Sequence, residues 1–212
     1  VKKKHTALIE NQKILFRDID GNIIKSKINI GTDIENCDLI ILCVKSYDAQ
    51  ILIQKLSSLD TAILLCQNGL KTMNYALKNI DEKRLSYLVT GNGISKIKAG
   101  ISEHRGLGFT YLGNLSKSKS DILQNISDNL KEQDMDCSIV ENIEEFVWLK
   151  TVINSAINPI ATLAEVKNGK LKNPELNDEV KKLCEESSNI AASNGIKLPL
   201  DPWREINKII EK

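Results

Sequence analysis

Lys150, Asn154 and Asn158 recur at intervals of four within Glu145-Phe-Val-Trp-Leu-Lys-Thr-Val-Ile-Asn-Ser-Ala-Ile-Asn-Pro159. On a helix turning roughly 100° per residue they fall within about 80° of one another. One amine and two carboxamides then form a stripe that can donate a proton and hold polar groups. The rest of the segment is apolar, with Val147, Trp148, Leu149, Val152, Ile153, Ala156 and Ile157. An ordinary core helix puts its lysine in water, whereas Ile153 and Ile157 flank this stripe and turn it partly inward. Pro159 removes one backbone N–H, which predicts an opened turn at the Ser155 carbonyl. Two readings follow: a site, or a snorkelling lysine beside two solvated amides.

The elements that would position this stripe are legible upstream. Lys13–Arg17 reads as a strand, Asp20-Gly21 as a turn, and Asn22–Ile28 as the returning strand of a hairpin. Asp38–Val44 is a continuous apolar run, expected of a strand covered on both faces. Helical spacing follows from Asp48 to Leu56. The unit repeats as strand Thr61–Cys66, turn Gln67-Asn68-Gly69 and helix Leu70–Leu77. Alternating strands and helices predict a parallel α/β sheet, whose ligands sit beyond the carboxyl ends of its strands. The turns at Lys45-Ser46 and Asn68-Gly69 are therefore where chemistry is expected. Six glycines between Tyr87 and Gly113 break the chain into short strands, expected to run antiparallel and to close one side of the sheet. They do not make a dinucleotide fingerprint, because no strand leads in and no helix opens after them. Ser118–Leu130 reads as an amphipathic helix and Cys137–Val140 as a last strand. From residue 143 onward only helices are expected, at about 143–165, 174–194 and 202–211. This places a domain boundary near 142, with 1–142 the α/β domain and 143–212 the helical one, packed closely.

Composition narrows the function classes. The 212 residues are 42% hydrophobic and 27% charged, with a net charge of +1, which suits a soluble globular protein. There is no basic field for nucleic acid and no apolar run long enough for a membrane span. Cys37, Cys43, Cys66, Cys137 and Cys184 form no CxxC pair. Structural thiols in a reducing, cytoplasmic compartment are expected, and no metal site.

Cys43-Val-Lys45, Gln67-Asn-Gly69, Trp148-Leu-Lys150, Asn154-Ser-Ala-Ile-Asn-Pro159 and Asn168-Gly169, in this order and spacing, resemble the ketopantoate reductase (2-dehydropantoate 2-reductase) family. The resemblance implies an incomplete Rossmann-type dinucleotide-binding domain followed by an all-helical domain. It also implies NADPH-dependent reduction of a small 2-oxo acid, 2-dehydropantoate, on the route to pantothenate and coenzyme A. Lys150 then matches the general acid that protonates the alkoxide formed when hydride reaches the ketone carbon. Asn154 and Asn158 match substrate-binding residues. Asn68 matches a residue between substrate and cofactor, and Lys45 a cofactor-side lysine; their bland readings are a turn residue and a solvated strand-end lysine. Lys2 falls at the family's basic residue facing the 2′-phosphate of NADP. His104 also falls on a family position but reads as structural.

Two departures qualify the resemblance. The family's opening strand, glycine-rich turn and helix, which cradle the pyrophosphate, have no counterpart before Val1. The helices supplying a substrate-binding serine and an active-site glutamate have none before Lys212. A fragment of a longer reductase, homodimeric at full length, is expected, and one prone to aggregate through exposed sheet edges. A sister 2-oxo acid reductase and a non-catalytic binding module remain as alternatives.

Overall fold

The computed structural model describes residues 13–27, 29, 31 and 37–211. Lys13–Arg17 (β1) and Ile23–Lys27 (β2) pair antiparallel, as the turn at Asp20-Gly21 predicts. Gly21 has φ 89° there, a value costly for any side chain with a Cβ. Next come Leu39–Leu42 (β3), Ser46–Leu56 (α1), Ala62–Leu65 (β4) and Leu70–Asn79 (α2). A 3₁₀ turn at Glu82–Arg84 leads into Leu85–Thr90 (β5). Strands β3, β4 and β5 are parallel neighbours, so their carboxyl ends share one edge. Arg84 secures this layer by donating to the Leu56 carbonyl, at the end of α1, and to the Thr61 carbonyl before β4.

The glycine-rich stretch contains Gly93–Lys98 (β6), Ile101–Gly106 (β7) and Thr110–Asn114 (β8). Asp121–Lys131 (α3) and Ser138–Ile139 (β9) follow. Of the three glycine-rich strands only β8 joins the main sheet, antiparallel to β5 and parallel to β9; the order is β3-β4-β5-β8-β9. Strands β6 and β7 instead join the amino-terminal hairpin in a second sheet, β2-β1-β7-β6. This differs from the expected single closure: β7 pairs in parallel with β1, a partner some 86 residues earlier in the chain.

Three helices complete the described chain: Ile143–Leu163 (α4), Pro174–Ser193 (α5) and Pro202–Ile210 (α6), with a 3₁₀ turn at Asn168–Lys172 before α5. Pro159 does not open α4, which stays helical to Leu163. The Ser155 carbonyl that loses its partner belongs to an exposed residue, so water can satisfy it at little cost.

Two main cores result. Leu42, Ile53, Leu65, Met73, Leu85 and Tyr87 form one, together with Ile143 and Val147 from α4. Leu149, Val152, Ile153, Ala156 and Ile157 form the other with Val180, Cys184, Ile206 and Ile210. Helix α6 is started by Asp201, whose carboxylate accepts from the Trp203 and Arg204 amides at 2.9 and 3.3 Å. Asp201→Ala is expected to cost about 1 kcal/mol of stability, measured as a lower urea midpoint at unchanged slope.

Candidate active site

The carboxyl edge of the main sheet is stitched by one side chain. Gln67 is buried, and its Nε2 donates to the carbonyls of Leu42 and Val44 at 2.5 and 3.1 Å. Its own carbonyl accepts from the Tyr87 hydroxyl at 2.5 Å. The ends of β3 and β4 are thereby tied to each other and to the middle of β5, and the next residue, Asn68, stands exposed at the rim. Gly69 then turns the chain into α2 with φ 81° and ψ 171°, a geometry glycine adopts without strain. Lys45 precedes α1 with φ −63° and ψ 148°, and its carbonyl accepts from the Asp48 and Ala49 amides. Its side chain is exposed at the same edge.

Lys150 reaches this edge from α4. It is half-buried, and its Nζ lies 5.7 Å from the centroid of the Phe109 ring, within cation–π range. It forms no ion pair among the described residues. Burial pushes its pKa below the ordinary lysine value of 10.5, because desolvation penalises the charged form. One turn on, Asn154 is half-buried; a further turn on, Asn158 is exposed. The stripe is thus graded, with its inward end at the lysine.

Phe109 is held by its surroundings. The Gly91 amide donates to the Phe109 carbonyl at 2.7 Å, and a Cβ at Gly91 would sit 3.2 Å from the ring. The ring also belongs to a tilted stack, 5.2 Å from Tyr111, which lies 4.2 Å from Phe146. Phe146 is one helical turn before Lys150, so amine and ring are positioned by the same helix. On the other side of Gly91, Asn92 donates to Thr90 Oγ1 and Thr110 Oγ1 and accepts from the Gly108 amide at 3.0 Å. His104 Nε2 faces two acceptors, Asn92 Oδ1 at 3.3 Å and the Gly106 carbonyl at 3.0 Å. The proton therefore resides on Nε2, and the imidazole buttresses the loop. A cavity of about 740 Å³ opens beside it, lined by Asn92, His104, Phe109, Arg204 and Lys208 among others.

Lys150 and Phe109 are thus brought to the end of β5, while Lys45 and Asn68 stand at the ends of β3 and β4. No contact joins Lys150 to Lys45 or Asn68 among the described residues; the shared edge unites them. Lys2 lies outside the described residues. The spacing that singles out Lys150 carries no sign of Phe109, Asn92 or Gly108. Their only signal is the density of glycines, which marks where backbones cross closely.

A packed helical layer thus brings an amine to the carboxyl edge of a parallel α/β sheet, the edge at which such sheets bind their ligands. Residues 1–117 match the family model described as ketopantoate reductase PanE/ApbA, and residues 142–212 match that of its C-terminal part. The chain belongs to the ketopantoate reductase family. It is 27% identical over 212 residues to 2-dehydropantoate 2-reductase of Pyrococcus horikoshii, covering 99% of this chain and 70% of that one. It is 28% identical over 179 residues to the enzyme of the same name from Archaeoglobus fulgidus, covering 84% and 60%. Against these relatives the chain spans 70% and 60% of their length. Its fold is shared with D-mandelate dehydrogenase solved with NADH and anilino(oxo)acetate, at a TM-score of 0.82 and 23% identity, covering 98% of this chain and 68% of that one.

Proposed function

We propose that this chain carries out the NADPH-dependent reduction of 2-dehydropantoate to pantoate, in the cytoplasm, on the route to pantothenate and coenzyme A. The observation that carries the reading is the Lys150 amine, half-buried against an aromatic face with no carboxylate among the described residues to neutralise it. Such an amine is free to meet a negative charge that develops only during reaction. The sheet edge fits a dinucleotide: Lys45 and Asn68 present an exposed cation and amide there, and the buried Gln67 Oε1 has no described partner. The reduced nicotinamide supplies the hydride when bound.

The roles proposed for the chain's own residues come from the family resemblance, and their positions support them. Lys150 donates its proton to the oxygen of the substrate's former keto group. Asn154 and Asn158 continue the polar stripe away from it and hold the substrate's hydroxyl and carboxylate. Asn68 stands between substrate and cofactor, and Lys45 on the cofactor side. Lys2 is assigned to the 2′-phosphate by the family resemblance alone, which is the basis for preferring NADP to NAD. In this reading residue 142 divides a cofactor domain from a substrate domain, and the longer enzyme is a homodimer.

The test is turnover of 2-dehydropantoate with NADPH as a function of pH. A general acid must be protonated, so kcat for reduction should fall as pH rises through the Lys150 pKa, with a midpoint below 10.5. Stability should move the other way. The folded-state value lies below the unfolded one, so the fold gains stability as pH climbs from the first to the second. A flat kcat profile across this alkaline range would remove Lys150 as the acid. The likeness to D-mandelate dehydrogenase favours a second reading, a sister enzyme acting on an aryl 2-oxo acid. The ratio of kcat/KM for 2-dehydropantoate and phenylglyoxylate separates the two.

A further inference from the structure

Cys43 and Cys66 are the residues immediately after β3 and β4, whose register pairs Leu42 with Leu65. The ladder continues one step further, because the Cys66 amide donates to the Leu42 carbonyl at 3.3 Å. In a parallel pair this bond makes Cys43 the register mate of Cys66, with both side chains on the same face. Adjacent strands lie about 4.8 Å apart, inside the Cα separation of roughly 4.4–6.8 Å that a disulfide spans. Cys43 is exposed and Cys66 half-buried. Of the remaining thiols, Cys137 and Cys184 are buried, and Cys37 is exposed but donates to the Leu39 carbonyl.

We propose that Cys43 and Cys66 form a thiol modification site that takes a small disulfide of the glutathione type, Cys43 attacking and Cys66 resolving. The Cys43 thiolate attacks one sulfur of the disulfide, forming a mixed disulfide and releasing one thiolate. Cys66 then loses its proton and attacks the Cys43 sulfur, expelling the second thiolate and closing the cross-strand bond. Two protein thiols are oxidised and one small disulfide is reduced to two thiols. Exposure assigns these roles: Cys43 is open to a disulfide in solution, whereas Cys66 is half-buried behind it. The neighbouring Cys66 thiol draws the Cys43 pKa down to about 7, against a weaker opposing effect of burial. The same contact, with burial, pushes Cys66 up. A thiol whose pKa lies near the ambient pH is the most effective attacker. The bond would form two residues before Lys45 and Asn68, at the rim assigned to the cofactor. That last consequence rests on the functional reading above, whereas the thiol chemistry does not.

The experiment uses the 212-residue chain carrying Cys37→Ser, incubated with oxidised glutathione and read by intact and peptide mass spectrometry. The expected result is loss of two hydrogen masses, with Cys43 and Cys66 found in one linked peptide pair. Adding Cys66→Ser should trap a single glutathione adduct on Cys43, and adding Cys43→Ser should leave Cys66 unmodified. An unchanged mass, independent adducts on both cysteines, or a bridge to Cys137 or Cys184 would overturn the proposal. Peptide mapping of the Cys37→Ser chain decides it even if a serine variant at the strand ends folds poorly. Enzyme activity enters none of these readouts.

Discussion

Lys150→Met is expected to lower kcat for 2-dehydropantoate reduction by about a hundredfold or more, equivalent to about 2.7 kcal/mol of lost transition-state stabilisation. NADPH affinity should change little, because the assigned contacts Lys45 and Asn68 stand in the turns after β3 and β4 rather than on α4. Methionine keeps the length and apolar stem of lysine and removes only the charge. In the fold that charge is a burden, since burial lowers the Lys150 pKa and no described carboxylate compensates it. The variant should therefore be as stable as the parent or more so. Activity falling while the thermal midpoint holds or rises is the signature of a group kept for reaction. A snorkelling lysine would leave turnover intact. Steady-state kinetics on a preparation that turns over 2-dehydropantoate, together with a melt of the same sample, distinguishes the two.

Gly108→Ala is expected to be among the most damaging single-methyl changes in the chain. A Cβ there would lie 2.2 Å from the Gly91 carbonyl carbon, 2.3 Å from its oxygen and 2.7 Å from the Asn92 nitrogen. All three are backbone atoms, so no rotamer relieves the overlap and the two segments must part. Separation breaks the Gly108–Asn92 and Gly91–Phe109 hydrogen bonds and withdraws the Phe109 ring from the Lys150 amine. Overpacking of this kind costs about 3 kcal/mol at the upper end of its usual range. Gly106→Ala is the control, because nothing lies within 4 Å of a Cβ at that position. Its cost should stay within about 0.5 kcal/mol. Equal urea midpoints for the two variants would refute the close-crossing account.

The parallel core of the fold was legible because its signals are local. Two apolar runs, each followed by a polar turn and a helical period, became β3–α1 and β4–α2, the strands one or two residues shorter at each end and the helices two residues longer. The amino-terminal hairpin was equally local. The sheet membership of β6 and β7 was not, since β7 chooses β1, a strand whose own composition names no distant partner. The stripe on α4 was read correctly as an alignment, but its depth was not legible. Whether an amide at position 154 or 158 meets protein or water depends on what lies over it, and only tertiary packing decides that. The expected break at Pro159 failed for a similar reason: the penalty depends on whether the orphaned carbonyl can reach solvent. Phe109 escaped notice because an aromatic ring between glycines looks like any strand residue until a lysine is packed over it. The positions assigned to Lys45 and Asn68 were legible from topology, because parallel sheets present their turns at one edge.

Helix α4 runs unbroken through both hydrophobic cores, burying Ile143 and Val147 in one and Leu149 to Ile157 in the other. Packing is therefore continuous across the boundary proposed at residue 142. Neither core can melt without stripping its side chains from the shared helix, which exposes the start of the other. Heat or urea should meet a single cooperative unit, with the far-UV signal and the fluorescence of Trp148 and Trp203 lost together. The same continuity makes α4 a rigid shaft: a tilt of the helical layer would swing the Lys150 amine across the sheet edge.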